Sequence, residues 1–220
     1  MLADHLPIYK LRLRTERLEL RLPDQDEIAA LADVAADGVH DPNFMPFLFP
    51  WTAVSPAERG RSVALWCHRA IGRWTAENWT LPFTVFYEGH PVGIQEIDGK
   101  DFAINREVGT GSWIGRAYHG KGIGTEMRAA VLHFGFAGIG ALQARSASFD
   151  GNEASAGVSS KLGYQADGVE YHSVQGERRL DRRWRLSRED WEAHRRHEVA
   201  IEGLDEDVLE MLGLGKAEQK

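Results

Sequence analysis

A glycine-rich run between a predicted strand and a predicted helix is the part of this sequence best suited to chemistry. The run reads His119-Gly120-Lys121-Gly122-Ile123-Gly124-Thr125-Glu126, and it follows the strand-like residues Ser112-Trp113-Ile114-Gly115. Glycines lack a Cβ, so the backbone can approach a ligand closely and adopt conformations closed to other residues. The first turn of the following helix carries backbone N–H groups without internal partners, at the positive end of the helix dipole. Together these features predict a site for a pyrophosphate-sized anion.

Two common phosphate-binding motifs do not match this run. A Walker A loop has four residues between its first glycine and Gly-Lys-Ser/Thr, whereas Gly122 follows Lys121 here and no hydroxyl is positioned for magnesium. A dinucleotide fingerprint has the spacing Gly-x-Gly-x-x-Gly, whereas these glycines are spaced Gly-x-Gly-x-Gly. That fingerprint also requires repeated βαβ units, which the pattern of elements does not offer.

A second segment, residues 152–164, is typical of a short helix with marked ends. Asn152 is a good N-cap, Glu153 is an acid in the first turn, Lys161 is a base in the last turn, and Gly163 suits the position after the helix. This helix is separated from the glycine-rich run by one further helix and one strand.

The two segments together resemble the acyl-CoA-binding motifs of the GNAT superfamily of N-acyltransferases. The pyrophosphate loop of that family is written Gln/Arg-x-x-Gly-x-Gly/Ala; His119 stands at the Gln/Arg place, and Gly122 and Gly124 stand at the small-residue places. Asn-x-x-Ser followed by Lys-Leu-Gly-Tyr resembles the second motif. The similarity is greatest to the ribosomal-protein N-terminal acetyltransferase branch and covers about residues 93–186. It departs from that branch at Arg116, where a proline is usual.

The resemblance implies a fold, a cofactor and a set of binding residues. The fold is the α+β GNAT fold, a mixed, mostly antiparallel sheet that splays apart and is flanked by helices. The implied cofactor is acetyl-CoA or succinyl-CoA as acyl donor, because some relatives, including a mycobacterial GNAT succinyltransferase that this chain looks like, use succinyl-CoA. The positions that match the family motifs, and are therefore expected to bind the cofactor, are Trp113, Ile114, Gly115, His119, Gly120, Lys121, Gly122, Ile123, Gly124, Thr125, Asn152 and Ser155.

Periodicity along the chain predicts the elements that must position these residues. A capping box, Asp24 with Glu27, opens the first helix, and period-2 and helical spacings define the other elements. The predicted order is a broken strand over residues 11–22, helices from 24 and over 56–74, a hairpin over 81–97, a strand over 112–115, a helix over 125–137, a strand over 141–149, the helix from 152, and a hairpin over 165–186. This order is that of the GNAT fold.

Acyl transfer to an amine needs a proton acceptor and a proton donor. An amine attacks a thioester only when neutral, and a lysine side chain with a pKa of about 10.4 is neutral in roughly one molecule in a thousand at pH 7. The departing thiolate needs one donor. The resemblance implies Ser155 as this general acid; the alternative is a serine satisfied within its own helix turn. Backbone N–H groups around Ile114 and Gly115 would stabilise the oxyanion if that strand bulges as it does in the family.

Four carboxylates lie on or after the strand that leads towards the thioester, and each is a candidate general base, acting directly or through a water. They are Glu96, Asp98, Asp101 and Glu107. We favour Glu107 and Asp101, although both also fit ordinary surface carboxylates. Among the nine histidines, His40 is the most plausible other base.

The segment from His40 to Trp51 contains three prolines and four aromatic residues. Proline excludes a regular element here, while the aromatic rings carry much apolar area. The segment is therefore predicted either to form a wall of the acceptor pocket, for a hydrophobic or flat acceptor, or to pack as core aromatics under the sheet.

Six arginines lie within eleven residues near the end of the last hairpin: Arg178, Arg179, Arg182, Arg183, Arg185 and Arg188. We expect most of them to form a solvated strand face paired with the acidic residues between 198 and 210. Alternatively, one of them binds an anionic acyl group, since a guanidinium matches a carboxylate.

Composition argues against several classes of protein. A net charge of −7 argues against a general nucleic-acid binder. No apolar run approaches a membrane span, and the first residues do not resemble a signal peptide. The single cysteine, Cys67, permits no internal disulfide and suits the cytoplasm. His194 and His197, on one predicted helix face, lack a third ligand nearby, so no metal site is predicted.

The chain is predicted to form one GNAT acyltransferase domain over residues 1–186, with residues 187–220 as a helical extension of it. Apolar residues of the extension, Leu204 to Leu212, need a partner surface, which is either the domain's own sheet or a second subunit, and we predict a homodimer. The predicted function is acyl-CoA-dependent transfer of an acetyl or succinyl group to a primary amine of a small molecule or peptide, by direct attack in a ternary complex. The alternative is a non-catalytic acyl-CoA-binding or sensing module of the same fold.

Overall fold

The computed structural model describes residues 1–215. Within them, nine strands form one sheet: β1 (Arg12–Arg14), β2 (Leu18–Arg21), β3 (Asn78–Tyr87), β4 (His90–Lys100), β5 (Glu107–Ile114), β6 (Gln143–Phe149), β7 (Gln165–Val174), β8 (Glu177–Ser187) and β9 (Ala200–Glu202). The helices are α1 (Gln25–Asp37), α2 (Pro56–Gly72), α3 (Phe102–Asn105), α4 (Ile123–His133), α5 (Glu153–Lys161), α6 (Arg188–His194) and α7 (Glu206–Met211).

The sheet splays apart at its one parallel pair. Its strand order is β7-β8-β6-β5-β4-β3-β2-β1-β9, and each of the other neighbouring pairs is antiparallel. β5 and β6 pair only from Glu107–Gly109 to Gln143–Arg145. Beyond these residues the two strands separate and leave a gap between Thr110–Ile114 and Ser146–Phe149. The predicted mixed, mostly antiparallel, splayed sheet flanked by helices is confirmed.

The two faces of the sheet are covered by different helices. On one face, α4 packs its buried stripe, which includes Met127 and Val131, into the main core together with Phe83 and Val108. On the other face, α1 and α2 form a second core with Ile94 of β4, from Leu31, Val63 and neighbouring residues. The gap between β5 and β6 therefore opens towards two differently built surfaces.

Local sequence signals fix the ends of the helices on the second face. Asp24 accepts from the backbone N–H of Glu27, and the Glu27 carboxylate accepts from the N–H of Asp24, so the predicted capping box is confirmed. Ser55 and Glu58 form a second capping box, with Pro56 at the first helical position. These caps fix where α1 and α2 begin.

Several predicted boundaries were wrong. α4 ends at His133, short of the predicted 137, because the chain continues as one π turn, Phe134–Gly138. β5 is longer than predicted, and the unpredicted helix α3 fills the turn before it, between Asp101 and Arg106, both in the left-handed region. Short helices of this kind carry too few residues for a periodic signal.

The segment after residue 187 is only partly helical. Two short helices, α6 and α7, flank β9, which pairs with β1 and extends the sheet. Val208 and Leu212 are fully buried in the main core, so the domain itself covers these apolar residues. The observation that suggested a homodimer is thereby accounted for within one chain, and the homodimer stays a prediction. Residues 216–220 of the predicted extension lie outside the described residues.

Over residues 1–215, none of the helices has the length and apolar character needed to cross a bilayer.

Candidate active site

The glycine-rich run forms a loop that enters α4, as predicted. Gly120 has φ +76° and Gly122 has φ +79°, and Gly122 is the N-cap of the helix. Residues other than glycine rarely adopt this left-handed backbone conformation, which explains the glycine at both positions. The N–H of Thr125 donates to the carbonyl of Gly122 at 3.2 Å, while those of Ile123 and Gly124 precede the first hydrogen bond of the helix and lie at the positive end of its dipole.

Side-chain hydrogen bonds that the sequence did not predict hold this loop. The buried carboxylate of Glu126 accepts from Thr15 Oγ1 at 2.6 Å and from Arg17 Nε at 2.8 Å, and Arg17 Nη1 donates to the carbonyl of Lys121 at 3.1 Å. Burial would raise the pKa of Glu126, but these hydrogen bonds lower it below its ordinary value. Nε2 of His119 lies 3.1 Å from the carbonyl oxygen of Ile114, so this ring connects the loop to β5.

The second motif forms α5, beside the gap. Asn152 caps the helix by accepting from the backbone N–H of Ser155 at 3.2 Å, as predicted. The N-terminal turn of α5 therefore faces the same space as the N-terminal turn of α4, and the half-buried Ser155 lies at the edge of that space.

A single cleft of about 1340 Å³ connects the loop, both edges of the gap and the start of α5. Of the residues predicted to bind the cofactor, ten line this cleft: Trp113, Ile114, His119, Gly120, Gly122, Ile123, Gly124, Thr125, Asn152 and Ser155. Gly115 and Lys121 are not among the described residues that line it. Gly115 is buried behind the loop, and a side chain there would collide with Val34. The amine of Lys121 lies 5.2 Å from the ring of Tyr118.

The β5 edge of the cleft does not bulge. Its register with β4 is continuous from Gly93 opposite Ile114 to Gly99 opposite Val108, so the bulge on which the expected oxyanion role of Ile114 and Gly115 depended is absent from this pairing. The N–H of Gly115 donates to the carbonyl of Val92 at 2.8 Å. Because alternate N–H groups of a strand point to opposite sides, those of Ser112 and Ile114 point into the gap.

Glu96 is the carboxylate whose environment changes its chemistry most. It lies on β4 opposite Gly111, and a Cβ on Gly111 would lie 3.4 Å from Oε2 of Glu96; Gly111 lines the cleft, whereas Glu96 is not among the described residues that line it. Nε1 of Trp66 on α2 donates to Oε1 at 2.5 Å. Burial raises the pKa of Glu96 to about 7, and the Trp66 hydrogen bond opposes this shift. A carboxylate with a pKa near neutrality suits a general base.

Of the other three carboxylates, two are held by Arg145 and the third lies away from the cleft. Asp98 is bound by Arg145 at 2.5 Å, and burial raises the pKa of Asp98 against that ion pair. Glu107 lines the cleft but accepts from Gln143 at 2.6 Å and lies 3.2 Å from Nε of Arg145. Asp101 is exposed at the far end of β4 and is not among the cleft-lining residues described. The geometry therefore brings Glu107 to the cleft and leaves Asp101 outside it.

A family model described as "Acetyltransferase (GNAT) domain" matches residues 17–165, more than half of the 220-residue chain. The chain belongs to the GNAT acetyltransferase family. This family transfers acetyl groups from acetyl-CoA to amines, and the predicted GNAT fold is confirmed.

Solved structures with the same GNAT fold cover most of the chain. RimJ from Mycobacterium smegmatis in complex with CoA-disulfide is 18% identical over 87% of this chain and 98% of that chain, with a TM-score of 0.66. RimL, a ribosomal L7/L12 alpha-N-protein acetyltransferase in complex with coenzyme A, is 16% identical over 79% and 95%, with a TM-score of 0.61. A GCN5-related N-acetyltransferase from Brucella melitensis is 18% identical over 84% and 81%, with a TM-score of 0.65. The similar structures thus include the ribosomal-protein acetyltransferase branch that the motifs predict.

In this GNAT chain, the loop from His40 to Trp51 both lines the cleft and packs against the core, and its role as a wall of the acceptor pocket stays a prediction. Phe44 and Phe47 line the cleft, while Phe47 and Trp51 also pack against the second core, with Trp51 5.7 Å from Trp113 between ring centroids. Nε2 of His40 lies 2.6 Å from the hydroxyl of Thr52, so this histidine is held by its own loop.

The arginines of β8 form a strand face, but their predicted pairing with the acidic C-terminal segment was wrong. Arg182 pairs with Asp150, Arg183 with Glu170, and Arg185 with Asp167. The acidic residues bind elsewhere instead: Asp205 and Asp207 pair with Lys10, and Glu202 pairs with Arg14. The carboxylates that pair with the β8 arginines lie on β7 or just after β6, and the pairing follows from side-chain positions that the sequence does not specify.

Two further sequence features have a structural explanation. α6 ends at His194, so His194 and His197 do not share a helix face as predicted. Within the described part of the chain, no cluster of three or more histidine, cysteine or acidic residues could hold a metal ion. Cys67 is buried in the second core, and burial raises the pKa of its thiol to about 11.

Proposed function

We propose that this chain is an acyl-CoA-dependent N-acyltransferase that transfers an acetyl or a succinyl group to a primary amine by direct attack in a ternary complex. The observation that carries the proposal is the single cleft that joins the glycine loop of α4 to the β5 edge beside Glu96. Its volume of about 1340 Å³ exceeds that of pockets holding one small ligand, which run to roughly 1,000 Å³. That size supports simultaneous binding of donor and acceptor.

The donor half of the site uses mainly backbone groups. The pyrophosphate of CoA would bind the N–H groups of the loop from Gly120 to Gly124, and the pantetheine arm would lie in the gap between β5 and β6. The N–H groups of Ser112 and Ile114 would bind its carbonyl groups or the thioester oxygen. The capped start of α5, at Asn152, would contact the arm from the other side.

The acceptor half uses side chains. Glu96 would accept a proton from the ammonium form of the acceptor, and the neutral amine would attack the thioester carbonyl. The negative charge that develops on the carbonyl oxygen would be stabilised by the N–H groups that face the gap. When the C–S bond breaks, the hydroxyl of Ser155 would protonate the thiolate, whose ordinary pKa is about 8.5, and would regain a proton from the attacking nitrogen, which loses it as the amide forms. Glu107 is the second choice for the base, because it lines the cleft but is engaged by Arg145.

The acceptor is proposed to be a small molecule or a peptide that presents a primary amine. Aromatic rings of the His40–Trp51 loop line the acceptor side of the cleft, which favours a hydrophobic or flat group next to the amine. A peptide N-terminus is included because RimL is a ribosomal-protein alpha-N-acetyltransferase. A cytoplasmic homodimer remains a prediction, and sedimentation at micromolar concentration tests its dimeric part.

Calorimetry with acetyl-CoA, succinyl-CoA, free CoA and NADH tests the donor half of the proposal. We expect the CoA compounds to bind and NADH not to bind. Binding of NADH, or of none of the four, would contradict the proposal. The catalytic part of the proposal is then tested by adding a panel of amines and N-terminal peptides and measuring the free CoA thiol released from the bound acyl-CoA. Binding of CoA without thiol release for any amine would favour the non-catalytic module.

A further inference from the structure

Arg128 of α4 is a buried cation at the point where β5 and β6 part. It is 4% exposed and lines the cleft. Its Nη2 donates to the hydroxyl of Ser112 on β5 at 3.2 Å, and its Nη1 donates to the hydroxyls of Ser146 on β6 and Ser159 on α5 at 3.4 and 3.3 Å. The guanidinium therefore bridges the two strands just beyond their last paired residues.

The surroundings of Arg128 do not neutralise its charge. Its partners in the described residues are three neutral hydroxyls at long distances, with no carboxylate in an ion pair, and its buried Nε has no hydrogen-bond partner. An arginine keeps its proton at any physiological pH, and a buried charge is costly unless it is paired and hydrogen-bonded. A buried guanidinium with an unpartnered donor and no ion pair is suited to binding an anion.

The arginines of β8 are less suited to that role. Arg182, Arg183 and Arg185 are exposed and each already binds a carboxylate of a neighbouring segment. Arg128 is enclosed at the narrow end of the gap, beside Ser112 and Ser146. If the pantetheine arm runs from the glycine loop into the gap, as in the proposed function, its thioester end points towards this guanidinium, so an anion bound there would belong to the acyl group.

We infer that Arg128 is a donor-specificity residue, which binds the terminal carboxylate of a short dicarboxylic acyl group of succinyl type together with the hydroxyls of Ser112 and Ser146. This inference rests on the proposed function. The guanidinium supplies a planar, charged donor pair that matches a carboxylate. The hydroxyls keep the guanidinium oriented.

Calorimetry with succinyl-CoA and butyryl-CoA tests the inference, because the two acyl chains have the same length and differ by a carboxylate in place of a methyl group. We expect the wild-type protein to bind succinyl-CoA roughly 10- to 100-fold more tightly, as is typical of hydrogen bonds to a charged group. In Arg128→Met, whose unbranched side chain fills a similar space, we expect this ratio to fall to about threefold or less. The control Arg185→Met removes an exposed cleft arginine and should keep the wild-type ratio.

Equal affinities of the wild-type protein for the two thioesters would overturn the inference without any variant being made. A ratio that survives in Arg128→Met, or one that is lost in Arg185→Met instead, would also overturn it. If Arg128→Met does not fold, Arg128→Lys is the second variant, because it keeps the charge but loses the planar guanidinium. It should show a reduced but measurable preference for succinyl-CoA over butyryl-CoA. An unchanged affinity ratio would contradict the inference. Binding of acetyl-CoA and amine-dependent thiol release without a succinyl preference would leave the proposed function intact, whereas failure of all CoA compounds to bind would remove both.

Discussion

The donor side and the acceptor side of the proposed site use different parts of the chain, backbone groups on one side and side chains on the other. On the donor side, the loop from His119 to Gly124 offers backbone N–H groups whose positions follow from left-handed glycines and a helix start. On the acceptor side, Glu96 depends on a hydrogen bond from Trp66, thirty residues away on another element. The backbone of the donor side can bind the same CoA moiety in many relatives, while the acceptor side can vary with its substrate.

The first prediction concerns the chemistry of the acceptor side. Glu96→Gln should lower kcat roughly 100-fold or more, because general bases contribute about that factor or greater. In the wild type, kcat should rise with pH through about 7, since Glu96 must lose its proton before it can accept one. The variant should lose this inflection. Thiol release measured from pH 5.5 to 8.5 checks both effects.

The control for this variant is Asp101→Asn, which removes an exposed carboxylate at the far end of the same strand. Asparagine tolerates the left-handed conformation of this residue, φ 48°. Its profile should match the wild type. If Asp101→Asn or Glu107→Gln removed the inflection and Glu96→Gln did not, the base would be assigned wrongly.

The second prediction concerns the leaving group. Ser155→Ala should lower kcat about tenfold, a smaller loss than for the base, because a thiol with an ordinary pKa of about 8.5 can depart unassisted near neutral pH. Affinity for CoA should change little in comparison. Single-turnover thiol release together with calorimetry separates the two effects. Ser160→Ala, an exposed serine on the same helix, is the matched control, and equal rates for the two variants would show that Ser155 is only structural.

The third prediction addresses the donor side. Gly122→Ala should weaken CoA binding about tenfold, because an L-residue at φ +79° is strained by roughly 1–2 kcal/mol and the loop would move to relieve this strain. Gly72→Ala, at the end of α2 where a Cβ meets nothing within 4 Å, should leave CoA affinity unchanged. Calorimetry on both variants makes the measurement. Unchanged affinity in Gly122→Ala would mean that the backbone conformation of the loop does not carry the binding.

The fourth and smallest prediction refines the acceptor side. Trp66→Phe removes the N–H donor to Glu96 and keeps an aromatic ring, so the pKa of Glu96 should rise above its value of about 7. kcat at pH 7 should fall about threefold, following the fraction of ionised base, and should recover at higher pH. Trp74→Phe removes a donor to the carbonyl of Met211 instead and should not move the pH profile. If the pH profile of kcat did not shift in Trp66→Phe, the Trp66 hydrogen bond would not control the pKa of the base.

Local signals in the sequence were sufficient for the donor side. Gly120, Gly122 and Gly124, Asn152 as N-cap and the capping box at Asp24 each act over a few residues, and the structure has them as predicted. The choice among four carboxylates could not be made from local signals, since Glu96, Asp98 and Glu107 differ only in their neighbours on other elements. The same reason made the pairing of the β8 arginines unpredictable.

By itself, the sequence determined most of the order of the elements and the position of the glycine loop, because periodicity, caps and left-handed glycines are properties of neighbouring residues. The splayed sheet was expected only from the resemblance to the GNAT family. Only the tertiary structure decided which charges are neutralised. It brings Trp66 to Glu96, Asp167 to Arg185, and, among residues 1–215, three serines but no carboxylate ion pair to Arg128. The free energy of a charge depends on its burial and on its nearest partners, and both are set by contacts between residues distant in the chain.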